Sequence, residues 1–440
     1  MRGFLRFSLL CTSMLGLHVA ADAQTVMTGQ ETVTGQQVVY SGQDIIVVGA
    51  DVSLRPHPRY DPLPIHAASF NIVPQVSTSL NYNDNVLAQN SNRQSDAFVV
   101  VRPEVTIGSD WSRNSLNLDL YAQKLDYAKL TSENVTTYGG TGQANLDVAH
   151  NIQIVSQFSG QHLSENLASL GSFRGATRAS TFNQLSAQVS ANLTMGDVLF
   201  QTTGSIERLV YQPVQAQGGI ASQNYRDMTL TSGQQAVTYN FSPSIGLVAN
   251  AQYSHSGYDF KPGSAGFDPL FNLDRDSHEV QFNGGVNLAL NNVIFGTVQL
   301  GYYHLNYNDL RLRDGSGLNV AVNMLWNPTP LTSVSLFADR RNSPSASTTV
   351  AGNSRHDFTV KVNHELYRNV LLMTSATYST YKPNGPGNSG TEVAGSMSAR
   401  YLFNTRLSAT ASMNYSARDT SDTSIRYHQL SGSLMVHYAI

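Results

Sequence analysis

Apolar and polar residues alternate with a period of two along most of the chain from Phe70 onward. In "HEVQFNGGVNLALN" (278–291) the even positions from Val280 to Leu290 are apolar or small, while most odd positions carry Glu, Gln or Asn. The stretch "RLSATASMNYSA" (406–417) repeats the pattern with Ser, Thr and Asn in the polar places. Strict alternation predicts strands with one apolar and one polar face.

The alternating segments are about 10 to 14 residues long, the length that a tilted strand needs to cross a bilayer. Short links containing Asn, such as 150–151, 291–292 and 404–405, alternate with long polar loops, such as 164–180 and 257–276. We therefore predict an all-β fold, a single transmembrane antiparallel β-barrel with short periplasmic turns and long extracellular loops. Its predicted strands number about eighteen, with sixteen as the alternative. They lie near 70–82, 97–109, 114–129, 137–149, 152–163, 181–193, 198–211, 224–240, 244–256, 277–290, 293–307, 316–326, 333–341, 354–364, 370–381, 391–403, 406–417 and 425–440.

A soluble β-sandwich or a secreted β-solenoid is the competing fold. A solenoid repeats its sequence at a fixed period, and the chain has no such repeat. A sandwich domain ends after about 100 residues, whereas this alternation continues through residues 70–440 without a linker.

Composition supports export and excludes several classes of protein. Charged residues make up 13% of the chain, the net charge is −3, and no long basic run occurs, so we expect no nucleic-acid partner. Arg2 and Arg6 precede an apolar run that ends in Ala21-Asp22-Ala23, which predicts a signal peptide over residues 1–23. The single cysteine, Cys11, lies inside it, so neither disulfides nor a thiol nucleophile are expected.

Residues 24–69 differ from the barrel segment. The stretch "SLRPHPRYDPLP" (53–64) contains four prolines, which prevent regular strand pairing. We expect a flexible periplasmic arm or a partial plug over residues 24–69. The stretch "QDIIVVGA" (43–50) looks like the energy-coupling box of TonB-dependent receptors, but the folded plug that those receptors carry has no room before residue 70.

Charged side chains on the polar parity are the candidates for lining the lumen. They mix both signs, and the channel selectivity of such a wall depends on its charge. The candidates are Arg102, Glu104, Asp119, Glu207, Glu279, Asp339, Arg341, Arg355, Asp357, Lys361 and Arg400. Four cations fall on the apolar parity: Lys124, Arg208, Arg226 and Arg340. Either they lie near the extracellular end and its lipopolysaccharide phosphates, or parity slips near the strand ends and they lie in loops.

Aromatic side chains on the inward parity have two interpretations. Aromatic faces suit the C–H surfaces of sugars, so a ladder of rings could guide a polysaccharide, or the rings pack against loops and the rim. The sugar-stacking candidates are Tyr121, Tyr211, Tyr303, Tyr307, Phe337 and Tyr381.

No motif for catalysis, a metal or a cofactor is present. The 12 histidines are scattered, and neither HExxH nor GxSxG occurs. His304, His356, His364 and His428 share the lipid-facing parity, and we interpret them as interfacial side chains. We therefore expect no enzyme and no cofactor; an outer-membrane enzyme that acts on lipid or glycan is the alternative.

The stretch "RPHPRYDPLPIHAASFNIVPQVSTSLNYNDNV" (55–86), followed by "SDAFVVVRPEVTI" (95–107), resembles a known family. It is similar to the start of the outer-membrane β-barrel porins (beta-barrel porin 2 type) found with exopolysaccharide biosynthesis clusters of Gram-negative bacteria. The resemblance implies an outer-membrane barrel involved in polysaccharide export or assembly. It also implies that polysaccharide export components are partners of the protein. A general diffusion porin for small hydrophilic solutes is the alternative.

The chain ends on an alternating strand, "YHQLSGSLMVHYAI" (427–440). We interpret it as the strand that closes the barrel. Its apolar set, Leu434, Val436, Tyr438 and Ile440, is the candidate signal for the barrel assembly machinery. Outer-membrane lipids and lipopolysaccharide are the other expected partners, and the outer membrane of a Gram-negative bacterium is the expected location.

Overall fold

The computed structural model describes residues 50–440 except 174, 217 and 292. The predicted signal peptide and the first part of the predicted arm, with most of "QDIIVVGA", lie outside the described residues. Within them, eighteen long antiparallel strands form a closed barrel, so the predicted fold and the count of eighteen are confirmed.

We number these strands β1 to β18 along the chain. The first nine are Phe70–Asn83, Asp96–Ser109, Ser115–Tyr127, Val135–Ala149, Ile152–Ser164, Thr181–Met195, Val198–Tyr211, Met228–Ser242 and Ile245–Tyr258. The last nine are Ser277–Leu290, Ile294–Tyr307, Gly315–Thr329, Thr332–Pro344, Gly352–Tyr367, Val370–Pro383, Gly390–Leu402, Leu407–Thr420 and Tyr427–Ala439. Three short strands, Ile65–Ala67, Val214–Ala216 and Gly219–Ala221, and three 3₁₀ turns, Val52–Leu54, Thr131–Glu133 and Asn224–Arg226, complete the described elements.

Each strand pairs with its neighbour in sequence, and β18 closes the ring on β1. The closing ladder runs from Gln75↔Ala439 to Asn83↔Ser431. Turns of two to five residues connect the strands at the rim where the chain ends, and loops of six to 18 residues connect them at the other rim. This asymmetry is typical of outer-membrane barrels, with the short turns in the periplasm.

The two faces of the wall follow the alternation of the sequence. Large apolar side chains such as Leu185, Phe282 and Leu300 are exposed on the outer face. The proposed assembly residues, Leu434, Val436, Tyr438 and Ile440, are exposed as well. The inner face carries hydrogen-bonded polar side chains, for example Ser375 with Ser396 at 2.7 Å across β15 and β16. A lipid-facing apolar belt around a polar lumen is the arrangement that a bilayer favours.

The longest break in the ladders of the described residues lies between β12 and β13. Their pairing stops at Val322↔Ala338, although β12 stays paired with β11 up to Gly315. Near the break, Arg340 of β13 reaches Glu279 of β10 at 2.6 Å and lies 3.3 Å from the ring centroid of Tyr303 on β11. This part of the wall is held by side chains rather than by a backbone ladder.

Candidate functional site

The long loop 165–180 folds inward over the extracellular mouth of the barrel. Arg226, which ends the last 3₁₀ turn, forms an ion pair with Glu165 at the start of this loop. It also donates to the carbonyl oxygen of Gly171 at 2.7 Å, and its guanidinium lies 3.7 Å from the ring centroid of Tyr211. Because Arg226 is only 4% exposed, it holds the loop through a desolvated contact.

The same loop reaches the far wall. Arg418 of β17 donates to the carbonyl oxygen of Ala168, and Ala88 and Tyr427 pack against Ala168. Arg418 also contacts Glu392 of β16 at 2.6 Å. Since β17 lies six strands from β5 around the ring, the loop spans the mouth.

A second loop, 345–351, enters from the other side. Arg275 donates to the carbonyl oxygen of Ser345 at 3.2 Å and to that of Ser347. The hydroxyl group of Tyr225 donates to the carbonyl oxygen of Ala346 at 2.8 Å. Burial lowers the pKa of the Arg275 guanidinium, and the neighbouring phenol groups of Tyr258 and Tyr225 partly offset that effect. We call loops 165–180 and 345–351, with Arg226, Arg275 and Arg418, the extracellular cap.

A peripheral contact joins two further loops. Arg311 donates to the carboxylate of Asp309 and to the carbonyl oxygen of Asn272 in loop 259–276. The hydrogen bond from Arg311 lowers the pKa of Asp309 to about 2.

The N-terminal arm lies at the opposite, periplasmic end, inside the barrel. Asp51 accepts a hydrogen bond from Asn363 of β14 at 2.9 Å, and the backbone N–H of Val52 donates to Ser333 of β13 at 2.8 Å. Ala50 and Val52 are buried. Ser333 and Asn363 share the inward parity of their strands, so the arm occupies part of the lumen.

Two further contacts extend the docked arm. Arg55 donates to the carbonyl oxygen of Pro330 in the turn between β12 and β13. The His57 Nε2 atom lies 3.7 Å from the Glu365 Oε2 atom, with both side chains buried. The arm is therefore fixed to β13 and β14 along residues 50–57, and Ile65–Ala67 then pairs with β1.

Between the cap and the arm lies a cavity of about 500 Å³. Strands β8 to β15 and Arg275 provide most of its charged and aromatic lining. Arg355 contacts Asp357 at 2.7 Å and Glu392 at 2.5 Å, and Arg341 lies 3.3 Å from Asp357. Lys361 lies 5.5 Å from the ring centroid of Phe337. The cavity can hold a hydrophilic ligand among charged groups and aromatic rings.

The structure divides the predicted lumen-lining residues into two groups. Six line the cavity: Glu279, Asp339, Arg341, Arg355, Asp357 and Lys361. The others lie elsewhere on the wall. Glu104 pairs with Arg102 and accepts from Gln75, Asp119 accepts from Thr106, and Glu207 accepts from Gln184. Arg400 is partly buried on β16.

The aromatic candidates are mostly packed against other side chains. Arginine guanidinium groups lie over the rings of Tyr121, Tyr211, Tyr303 and Tyr381. Tyr307 accepts hydrogen bonds from Asn342 and Asn384. Tyr307 and Phe337 line the cavity, and these two rings are the ones placed for contact with a solute there.

Two of the predicted lipid-facing cations are placed differently. Arg226 precedes β8 and points into the cap, because its turn lies outside the alternating strand. Arg340 is buried against Glu279, because the break beside β12 lets its side chain enter the wall. The lipid-facing expectation is wrong for both residues, and Arg226 follows the alternative of a loop position. Lys124 and Arg208 are more exposed and pair with Asp126 and Asp259.

Sequence reasoning missed three charged residues. Glu392 shares the parity of Arg400, and Arg418 follows directly on the predicted strand 406–417, so extended parity would have found both. Arg275 lies in a loop and has no periodic signal.

Among the described residues, no group of three or more His, Cys, Asp or Glu side chains is placed to hold a metal ion. No helix in the same part of the chain is long and apolar enough to cross a membrane.

An eighteen-strand barrel with an apolar belt and a polar lumen defines an outer-membrane, porin-like channel. The family described as "Putative beta-barrel porin 2" matches residues 57–439, and the chain belongs to that family. The family and the barrel place the protein in the outer membrane. No curated protein sequence matches the chain.

Solved outer-membrane proteins are similar to the chain at low identity. The siderophore receptor PirA from Acinetobacter baumannii has a TM-score of 0.47 and 8% identity, over 84% of this chain and 80% of that one. OccK2 (OpdF) from Pseudomonas aeruginosa has a TM-score of 0.43 and 9% identity, over 84% and 97%. A bacterial polysaccharide outer membrane secretin has a TM-score of 0.34 and 11% identity, over 84% and 98%.

Proposed function

We propose that the protein is a gated outer-membrane channel that passes a polysaccharide outward and performs no chemical step. The observation that carries this proposal is the occupation of the lumen at both ends. The cap spans the extracellular mouth through Arg226, Arg275 and Arg418, and the arm is docked at the periplasmic end through Asp51 and Val52. A channel for diffusion of small solutes needs a path that stays open.

The resemblance over residues 55–107 to porins found with exopolysaccharide clusters agrees with a glycan as cargo. The lining of the cavity supports it as well. Ser254, Thr297, Thr359 and Thr377 present hydroxyl groups there, which exchange hydrogen bonds with sugar hydroxyl groups. Phe337 offers an aromatic face.

Conductance in planar bilayers tests the gating. The two obstructions lie in series, so we expect the wild-type protein to be electrically quiet, and Asp51→Ala or Arg226→Ala alone to conduct little. The double variant should give stable conductance steps. Arg311→Ala, which removes a loop arginine outside the cap, is the matched control for Arg226→Ala and should stay quiet.

Cells test the direction of transport. Deletion of the gene should leave polymer in the periplasm, and the wild-type gene should restore export. A wild-type protein that gives large steady conductance and restores uptake of small sugars would contradict the proposal and favour the diffusion porin. Turnover of a lipid or glycan by the purified protein would favour an enzyme.

A further inference from the structure

The cavity between the cap and the arm has an unequal balance of charge. Its lining includes five cationic side chains and three carboxylates. The cations are Arg275, Arg340, Arg341, Arg355 and Lys361, and the carboxylates are Glu279, Asp339 and Asp357. Just outside this lining, Glu392 is matched by Arg418 at 2.6 Å, so this pair leaves the balance unchanged.

Ion pairs with arginines hold Glu279 and Asp357. Glu279 lies 2.6 Å from Arg340, and Asp357 lies 2.7 Å from Arg355 and 3.3 Å from Arg341. Arg275 contacts the carbonyl oxygens of Ser345 and Ser347, which are neutral acceptors. The lining therefore has an excess of two positive charges.

A positive excess in a partly desolvated cavity favours an anion more strongly than the same charge would in open water. The remaining lining combines hydroxyl and amide groups with aromatic rings, including Phe337 and Tyr307, and with apolar side chains such as Leu230 and Leu305. The hydroxyl and amide groups suit a ligand with many hydroxyl groups, whereas a purely apolar anion would leave them without hydrogen bonds.

We propose that this cavity binds a carboxylate-bearing saccharide, so that the cargo of the channel is an acidic polysaccharide. This inference rests on the proposed function and narrows it to a substrate class. Carboxylate groups of a glycan chain and of a small free acid share the same chemistry. A chain differs from the free acid in presenting several carboxylates and rings at once, which engage the cations and Phe337 together.

Isothermal titration of the purified full-length double variant Asp51→Ala/Arg226→Ala, in which both obstructions are weakened, tests the inference. Every further variant in this titration carries the same two substitutions. The probes are a short oligogalacturonate, a neutral maltooligosaccharide of equal length, and monomeric galacturonate. We expect the acidic oligomer to bind, the monomer to bind at least about tenfold more weakly, and the neutral oligomer not to bind measurably. Equal binding of the acidic and neutral oligomers, or no binding of either, would overturn the inference. Binding of the monomer as tight as that of the oligomer would assign the cavity to small acids instead.

Charge variants give effects of opposite sign, which misfolding cannot imitate. Arg341→Gln and Lys361→Gln should each weaken binding of the acidic oligomer by at least about fivefold, because each removes one charge near the ligand. Asp339→Asn should strengthen it by a similar factor. Arg406→Gln, which removes an exposed charge from the turn between β16 and β17, is the control and should leave affinity unchanged.

Ion selectivity separates this inference from the proposed function. In the double variant Asp51→Ala/Arg226→Ala, the reversal potential across a KCl gradient should show preference for chloride. Conductance with a preference for potassium would contradict the acidic cargo but would be consistent with a gated channel. If the double variant binds the acidic oligomer selectively but never conducts, the result would contradict the gated channel and support the anion-binding cavity.

Discussion

Arg226 joins loop 165–180 to the wall at Tyr211, so its removal should release the loop while the barrel stays folded. Its partners are Glu165, Gly171, Gln223 and the ring of Tyr211. In Arg226→Ala, Glu165 keeps a buried carboxylate without this cation. Of these partners only Tyr211 belongs to a strand ladder, and it contributes its ring rather than its backbone, so the effect should be local.

The magnitude follows from the burial of the pair. The side chains of Arg226 and Glu165 are only 4% and 7% exposed. Breaking a buried ion pair by removing one partner costs about 3–5 kcal/mol. The opening equilibrium of the loop should therefore rise by at least about a hundredfold. Replacing both side chains, as in Arg226→Met/Glu165→Leu, leaves no buried charge and should restore most of the closed state.

Hydrogen exchange measured by mass spectrometry checks this prediction. The backbone N–H of Glu165 donates to the carbonyl oxygen of Ser180, so peptides covering 165–180 report on the opening of the loop. Their protected amides should exchange at least about a hundredfold faster in Arg226→Ala, while β-strand peptides should not change. Arg178→Ala, an exposed arginine in the same loop, is the matched control. Unchanged exchange over 165–180 in Arg226→Ala would refute the role of this pair.

Three further predictions concern assembly, acid and packing. Ile440→Asp should lower the amount of protein in the outer membrane, but the variant should still refold in detergent, because residue 440 is an exposed rim position. The control Ile65→Asp, which also changes an exposed rim residue, should assemble normally. Equal loss of both variants from the membrane would argue against a terminal signal. Because the folded-state pKa of Asp309 is depressed, its contribution is present above the unfolded-state pKa and is lost as the pH falls towards 2. Cross-linking between loops 259–276 and 308–314 should fall in that window, and Asp309→Asn should remove the dependence. Gly296 has φ +135°, and a Cβ there would meet a backbone oxygen at 1.9 Å. Gly296→Ala should therefore destabilise the barrel by about 1–3 kcal/mol, measured as a lower temperature for the heat-dependent shift in gel mobility. Gly204→Ala is the control, because a Cβ at residue 204 meets no atom within 4 Å. Equal mobility of the two variants would contradict this reading of the packing.

The barrel could be predicted because each strand alternates lipid-facing apolar residues with lumen-facing polar residues, and this alternation is visible in its own sequence. The predicted strand 277–290 agrees with Ser277–Leu290, and the predicted closing strand agrees with Tyr427–Ala439 and its pairing to β1. A one-residue error would exchange the lipid and lumen faces, so the alternation specifies the register strongly. Parity also predicted that Arg341, Arg355, Asp357 and Lys361 point into the lumen. In the structure these four residues line one cavity.

A partial plug over residues 24–69 was one of the expectations, but the contacts of the cap and of the docked arm could not be predicted, because they join distant segments. Ala168 meets Arg418 across 250 positions of sequence, and Asp51 meets Asn363 across 312. Neither contact has a periodic signal, because loops and the arm have irregular backbones. Parity alone could not predict the direction of the Arg340 side chain. That direction depends on the absence of backbone pairing beside it rather than on the position of Arg340 in the alternation.

The break between β12 and β13 determines how easily the extracellular rim could widen around a bulky solute. In most of the ring, backbone hydrogen bonds fix the circumference, and widening would mean losing a whole ladder at once. Beyond Val322↔Ala338 no such ladder joins the two strands, and Arg340 bridges to Glu279 and Tyr303 instead. Widening of the extracellular end would therefore exchange only a few side-chain contacts at this position, whereas at the periplasmic end it would break the backbone pairing between Val322↔Ala338 and Thr329↔Thr332.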